Sequence, residues 1–451
     1  MTFAETFFSQ RVRMTNASAV SPLTRQGPTE QLLDRRDGAL CLDGVSLAQI
    51  AATVGTPFYA YSAMALRTDY AALRQAVAPY GVEVCFAVKA NSNIHVLAEF
   101  ARLGCGMDIV SGGEMTRALA AGTPPERIIF SGVGKTEAEI SAALQAGLRQ
   151  INVESAAELE VVSGVARALG QRAPVAFRVN PDVDAKTHAK ITTGRKDSKF
   201  GIPAAEIPAL YAAAAAQPEL NVVGLALHIG SQILDLTPFR EAWQTMAQLV
   251  KDLRAAGQTV CRLDLGGGLG IGDAHHPGPD LAEYARIIGE TVAGLDLELN
   301  VEPGRWLCAR AGVMVSRVLY LKPGEAADFA VVDAAMNDLM RPALYDAQHP
   351  AETLHNPRQA PGTQAHRLVG PICESSDDFG KYKNLGTLLP GDLVAFLDAG
   401  AYGAAMSSTY NSRGLVPEVL VDDGQFRVIR RRTEIRDALG LEEGEAWQKA
   451  C

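Results

Sequence analysis

Between residues 84 and 301 the chain repeats one pattern eight times, and that repeat leaves few folds open to it. Short apolar runs fall at 84–88, 108–110, 128–130, 151–153, 175–179, 223–227, 262–265 and 297–301. Stretches rich in Ala, Leu and Glu, with helical spacing of their apolar residues, lie at 63–78, 113–121, 137–146, 156–169, 204–216, 239–256 and 281–293. A run this short between turn formers is a buried strand, and the longer spacing is that of an amphipathic helix. Strands that alternate with helices pair in parallel, because the chain must cross back each time. Eight such units predict a closed, TIM-like (β/α)8 barrel. An open doubly wound sheet is the alternative, and the even spacing counts against it.

After Trp306 the texture changes to short β-rich runs at 313–321, 328–333, 366–369, 392–396, 418–421 and 426–429, separated by Gly, Pro and Asp. These predict a second, mostly antiparallel C-terminal β domain, a barrel or sandwich. The expected division is a mobile extension over 1–28, strands joining the β domain over 29–54, the barrel over 55–310, the β domain over 311–437 and a tail over 438–451. Residues 346–365, with scattered Pro and His, read as an excursion on the surface.

A chain of 451 residues is too long for one ordinary core, which agrees with two domains. A net charge of −9 argues against nucleic acid or an anionic membrane as the main partner, so an anionic substrate must be met by local cations. No stretch is long and apolar enough to span a bilayer, and Arg11 and Arg13 are not followed by a signal-peptide core. The seven cysteines, at 41, 85, 105, 261, 308, 373 and 451, are scattered and form no Cys-x-x-Cys pair. They point to a reducing compartment and no zinc site, hence to the cytoplasm.

Polar residues gather where the strands end: Lys89, Asp108 with Ser111, Asn152 with Glu154, Arg178 with Asn180, His228 with Ser231, Gly266 to Gly268, and Glu302 to Arg305. In a barrel of this kind that rim carries the active site. Lys89 closes the first apolar run; apolar walls would desolvate its ammonium form, lower its pKa and free the amine as a Schiff-base nucleophile. A solvated lysine at a strand end is the plainer alternative. The run Gly266-Gly267-Gly268-Leu269-Gly270 can turn backbone N–H groups onto a phosphate, or can be a tight turn with no ligand. It does not fit Gly-x-Gly-x-x-Gly, because Ile271 stands at the third glycine. Gly134-Lys135-Thr136 ends like a nucleotide P-loop, but Ile129 occupies the first glycine position, which excludes ATP.

His228 belongs to no metal motif, and no metal is expected; near Lys89 its imidazole can lie flat on an aromatic cofactor. Glu302 can keep a pyridine nitrogen protonated while Arg305 takes a carboxylate, although a surface ion pair is the ordinary meaning of such neighbours. In the β domain Arg341, Tyr345, Cys373, Glu374 and Tyr402 are candidates, each weak alone.

In order along the chain stand Phe-Ala-Val-Lys-Ala-Asn at 86–91, Gly-Met-Asp-Ile-Val-Ser-Gly-Gly-Glu at 106–114, Arg-Val-Asn-Pro at 178–181, His-Ala-Lys-Ile at 188–191 and Ser-Lys-Phe-Gly-Ile at 198–202. His-Ile-Gly-Ser-Gln at 228–232, Asp-Leu-Gly-Gly-Gly-Leu-Gly at 264–270, Glu-Pro-Gly-Arg at 302–305, Arg-Pro-Ala-Leu-Tyr at 341–345, Cys-Glu-Ser-Ser-Asp at 373–377 and Ala-Tyr-Gly-Ala-Ala at 401–405 follow. This series resembles the pyridoxal-phosphate decarboxylases with an alanine-racemase-like barrel, and among them most closely the diaminopimelate decarboxylases. The resemblance runs from about residue 37 to 437. It implies pyridoxal 5'-phosphate as cofactor, held covalently by Lys89, with His228 on the ring and Glu302 at its nitrogen; Asp108 and Arg178 belong to the same cofactor site. Ser231, Gly268, Gly304, Arg305 and Tyr402 would gather around the phosphate or nearby substrate. Arg305, Arg341 and Tyr345 would hold substrate carboxylates. Cys373 and Glu374 would enter from the second subunit of a homodimer with shared sites, Cys373 or Lys89 returning the final proton. The activity implied is loss of carbon dioxide from meso-2,6-diaminopimelate to give L-lysine, the last step of lysine biosynthesis. An ornithine- or arginine-type decarboxylase, a racemase and a non-catalytic cofactor-binding relative are the other readings.

Overall fold

The computed structural model describes residues 32–185, 194, 198–272, 276–325, 327–358, 365–442 and 444. The expected extension over 1–28, the His-Ala-Lys-Ile stretch and the end of the tail lie outside these residues. Eight strands form where the apolar runs fall: β1 (Val82–Ala87), β2 (Gly106–Ile109), β3 (Ile128–Phe130), β4 (Gln150–Val153), β5 (Ala173–Asn180), β6 (Leu220–Leu227), β7 (Arg262–Asp264) and β8 (Glu298–Val301). Each pairs in parallel with the next in chain order, and β8 closes on β1 with Leu299 opposite Val82 and Val301 opposite Val84. The closed barrel is the predicted one.

The connecting helices start on side chains at the strand ends. Ser111, Thr136 and Ser155 accept from backbone N–H groups at the starts of Gly112–Ala120, Glu137–Ala146 and Ala156–Leu169. Thr136 and Glu139 form a full capping box. One helix, Ile94–Arg102, is absent from the sequence reading. It has nine residues and only three buried aliphatic or aromatic anchors, Val96, Leu97 and Phe100, too short a stripe to stand out from a polar Asn-Ser-Asn entry.

In the β domain, the eleven-residue strand Gly312–Lys322 runs antiparallel to Asp328–Val332, to Leu393–Phe396 and to Phe58–Ser62. Glu418–Asp422 joins the far side of Phe58–Ser62 in parallel and carries Gln425–Arg430 at its edge. The sequence reading is corrected here in two places. The early strands Leu33–Arg36, Ala39–Leu42 and Val45–Ser46 make their own small sheet, touching the β domain through the Leu40 N–H on the Leu354 carbonyl, 2.8 Å. The N-terminal strand that enters the large sheet is Phe58–Ser62, buried along its whole length with partners far away in sequence. Residues 346–365 are also more than an excursion: Ala351–Thr353 pairs with Leu393–Phe396, and its alternate residues Ala351 and Thr353 are buried.

Tyr59 and Tyr61 anchor the inserted strand. Their rings stack at 6.2 Å, and the Tyr59 hydroxyl donates to the Asp338 carbonyl at 2.6 Å. Glu418 accepts from the Tyr61 hydroxyl and, at 2.8 Å, from Asn93, the residue that caps helix Ile94–Arg102. One buried carboxylate thus links the sheet to the barrel. Tyr59→Phe should cost about 1–3 kcal/mol by orphaning a buried carbonyl, and Tyr59→Ala about 3–5 kcal/mol by adding a cavity. Urea midpoints at unchanged m-value check both.

Candidate active site

Lys89 lies in a single helical turn, Val88–Ala90, that closes β1. Its Nζ donates to Asp108 Oδ2 at 2.9 Å, with the side chain 34% exposed toward the barrel mouth. Asp108, on β2, is fully enclosed, and its Oδ1 has no hydrogen-bond partner among the described residues. The sequence argument that burial lowers the lysine pKa is overturned. Burial does pull the ammonium down, but the charges around it, Asp108 first, outweigh it, and the net shift is upward. Without cofactor, Lys89 is a held cation.

Two further carboxyls lie beneath it. Glu302, just past β8, is 5% exposed, and its Oε1 has no partner among the described residues. Asp264, at the end of β7, accepts from the Gly266 N–H at 2.9 Å and from Asn152 Nδ2 at 3.3 Å, and shares a hydrogen bond with Glu302. Burial, then the charges of Asp108 and Asp264, push Glu302 well above the usual carboxylate range, against the opposing pull of Lys89. Glu302 therefore carries a proton in this pair and donates it to Asp264.

His228 follows β6. The Gly267 N–H donates to its Nδ1 at 3.2 Å, which puts the ring proton on Nε2 in the neutral form. Burial, then the charges of Lys89 and Arg178, hold the imidazole well below its ordinary pKa. The glycine run packs against the strand ends: a Cβ on Gly267 would sit 2.1 Å from the Glu302 carbonyl, and one on Gly268, at φ +108°, 2.4 Å from the Gly230 carbonyl. Side chains are excluded there, leaving a backbone cradle.

Arg305 opens the short helix Arg305–Cys308 and is almost wholly buried. Its Nη2 donates to Ser231 Oγ at 3.1 Å, its guanidinium lies 4.8 Å from the Tyr402 ring centroid, and its Nε and Nη1 have no partner among the described residues. Burial lowers its pKa, with Tyr402 opposing. Tyr402, held at φ +55°, donates its N–H to the Ala90 carbonyl at 2.8 Å, and a Cβ on Gly304 would lie 3.4 Å from its hydroxyl. A β-domain tyrosine is thereby fixed at the barrel mouth beside Lys89. Arg341 and Tyr345 bound the short helix Arg341–Tyr345. Burial and the neighbouring Arg305 pull Arg341 down to about 9, although Tyr402, Asp398 and Tyr345 act the other way.

Arg178 is less central than expected: its Nη1 donates to Glu154 Oε1 at 2.6 Å and its guanidinium covers the Phe200 ring, so it reaches the site through its charge on His228. Cys373 and Glu374 are not brought to the mouth. Both are exposed, and among the described residues the Glu374 carboxylate accepts from Tyr410 and Ser376, within the β domain. Lys135 of the P-loop look-alike is buried on the Asn152 carbonyl, 2.9 Å, and Glu158, 2.7 Å, beneath the Thr136 cap. Two positions escaped the sequence reading as site residues, Asp264 and His349, while Glu154 was named on the rim without a role. A carboxylate inside an apolar strand, as at Asp264, is the signal that could have found the first.

These residues fit a pyridoxal phosphate. The enclosed Glu302 Oε1 can meet a ring nitrogen, the glycine cradle with Ser231 and Tyr402 can take the phosphate, and Lys89 can bond to the aldehyde carbon. A lysine, a histidine and a glutamate at three strand ends of a parallel barrel, roofed by a β domain, define a pyridoxal-phosphate enzyme. In agreement, residues 64–309 match the model of the pyridoxal-dependent decarboxylase, pyridoxal binding domain. The chain is 49% identical over 402 residues to the diaminopimelate decarboxylase of Pseudomonas aeruginosa, covering 89% of this chain and 96% of that one. Among solved structures, diaminopimelate decarboxylase from Helicobacter pylori complexed with L-lysine superposes with TM-score 0.84 at 41% identity, covering 88% of this chain and 99% of that one. The M. jannaschii enzyme in co-complex with L-lysine gives 0.88 at 34%, covering 93% and 99%. The chain belongs to the diaminopimelate decarboxylase family of pyridoxal-dependent decarboxylases.

The Glu302 proton gives a test that needs no turnover. A carboxyl whose folded pKa is raised contributes stability that is complete below its unfolded value of 4.5 and is lost as pH rises through the folded value. In the cofactor-free protein Glu302 should contribute a loss of stability as pH rises above 4.5, and Glu302→Gln should remove that contribution, leaving a pH profile that falls less, or rises more, than the parent's. Urea midpoints measured across the range decide it; equal slopes would sink the assignment.

Proposed function

We propose that this chain removes one carboxyl group from meso-2,6-diaminopimelate, giving L-lysine and carbon dioxide, as a cytoplasmic homodimer with pyridoxal 5'-phosphate. The observation that carries the reading is a pair of arginines, Arg305 almost wholly buried and Arg341 half-buried: both hold N–H donors without partners among the described residues, with Arg305 close enough to depress Arg341, in a protein of net charge −9. Such a pair suits a substrate with a carboxylate at each end. A basic amino acid such as ornithine ends instead in a cation and would be repelled by Arg341.

Bound pyridoxal phosphate supplies the electron sink for the pair left when the carbon–carbon bond breaks. Lys89 would hold the cofactor through its amine, which requires loss of the proton that it donates to Asp108 Oδ2. Glu302 would present its unpartnered Oε1 to the ring nitrogen, while its carboxyl is held by Asp264. His228, neutral and fixed by Gly267, offers a flat face without adding charge. Gly268, Gly304, Ser231 and Tyr402 receive the phosphate end, while Arg305, Arg341 and Tyr345 orient the carboxylates.

Cys373 and Glu374 lie exposed on the β domain, and among the described residues neither bonds to this set. That placement suits delivery to the site of a second copy, so that each site is completed by the partner subunit's Cys373 and Glu374. The six described cysteines are free, which suits a reducing compartment, and no described helix is long and apolar enough to cross a membrane.

With cofactor supplied, diaminopimelate should release carbon dioxide and form lysine, whereas ornithine, arginine and lysine should not; release from ornithine instead would overturn the substrate assignment. Lys89→Ala should abolish both the protein-bound cofactor absorbance and carbon dioxide release.

A further inference from the structure

His349 is a buried ring that the proposed chemistry does not use. It stands between helix Arg341–Tyr345 and strand Ala351–Thr353 and is 2% exposed. Its Nδ1 lies 2.8 Å from the Leu397 carbonyl, and its Nε2 lies 2.9 Å from Arg341 Nη1. A carbonyl can only accept and a guanidinium can only donate, so the two contacts together fix the tautomer: Nδ1–H donates to Leu397, and the Nε2 lone pair receives Arg341. The backbone is strapped as well. Tyr382 donates its hydroxyl to the His349 carbonyl at 2.9 Å, and the Leu397 N–H donates to the Pro350 carbonyl at 2.8 Å. Leu397 begins the segment that ends at Tyr402 on the barrel mouth, so the anchor of this ring is also part of the site's roof.

An arginine held this way differs from one held by an acid. A carboxylate in the place of His349 would aim the guanidinium equally well, but would neutralise it and compete with any incoming carboxylate. A neutral acceptor aims it and leaves its charge to be answered. We propose that His349 is a positioning residue for substrate recognition: a neutral acceptor that orients Arg341 toward a substrate carboxylate without cancelling its charge. This rests on the reading above that Arg341 grips a carboxylate. Burial, then the Arg341 charge, push His349 down to about 3, against the Leu397 contact, so the ring keeps its lone pair. Arg341 Nε, buried and without a partner among the described residues, is a donor left over for the ligand.

The test compares holoenzyme variants with diaminopimelate as substrate. His349→Asn keeps a donor for Leu397 but cannot reach Arg341, and should raise KM by about ten- to 150-fold, the size of a lost hydrogen bond to a charged group, with kcat changed much less. His349→Gln places an amide oxygen near the Nε2 position and should recover most of that loss. In an Arg341→Gln background, His349→Asn should add little, because the two act through one contact. If His349→Asn fails to fold, His349→Met, which fills the space without an acceptor on Arg341, carries the same comparison. Unchanged KM in the His349 variants, alongside a raised KM in Arg341→Gln, would overturn the role of His349 and spare that of Arg341. An unchanged KM in Arg341→Gln would overturn both. A full effect of His349→Asn in the Arg341→Gln background, or a loss confined to kcat, would show that the ring acts elsewhere and would overturn the proposal.

Discussion

The site depends on a short joint between the two halves of the molecule. The Tyr402 N–H reaches the Ala90 carbonyl at 2.8 Å, Asn91 Nδ2 reaches the Gly400 carbonyl at 3.1 Å, and the Gly400 N–H reaches the Ala309 carbonyl at 3.0 Å. These bonds join a β-domain loop to the residues directly after Lys89 and to the end of the Arg305 helix. A Cβ on Gly400 would fall 1.9 Å from the Cys308 carbonyl, so the approach requires bare backbone. Because two of the three bonds join main chain to main chain, the phenol of Tyr402 and the guanidinium of Arg305 are positioned by the fold rather than by their own flexible side chains. Arg341 reaches the same neighbourhood by a separate route, through His349 and Leu397.

Charge inside the barrel is arranged around scarcity of cations. Asp108, Asp264 and Glu302 share the enclosed floor, with Lys89 as the nearby ammonium. Three bare carboxylates so close together would be costly, and the strain is relieved by a proton on Glu302, by the Asn152 amide and Gly266 N–H on Asp264, and by Lys89 on Asp108. At the mouth the imbalance has the opposite sign: Arg305 and Arg341 crowd each other with donors to spare. The floor thus favours a cationic group and the mouth anionic ones.

The barrel was legible in the sequence because each strand is a separate local signal, bounded by turn formers and followed by a helix. Lys89, His228, Glu302 and the glycine run were legible as well, since chemistry-bearing residues at strand ends are conspicuous. What escaped depends on distant partners. Phe58–Ser62 reads as an ordinary apolar run, and its membership of the C-terminal sheet is set by strands that begin at Gly312 and Glu418. The direction of the Lys89 shift depends on Asp108, nineteen positions away, as much as on burial. Asp264 sat inside an apolar run and His349 inside a stretch that looked like surface, so neither drew notice until its neighbours were in place.

The strand Phe58–Ser62 imposes an order on biosynthesis. It leaves the ribosome before the barrel does, yet both of its hydrogen-bonded neighbours lie beyond the barrel in the chain. Throughout translation of the barrel its two edges stay open, and five largely apolar residues wait for partners not yet made. The β domain cannot close as an independent late piece, because its central seam was delivered first. A nascent chain halted after the barrel therefore presents a vacant strand edge, the kind of surface that chaperones bind and that misassembly begins from.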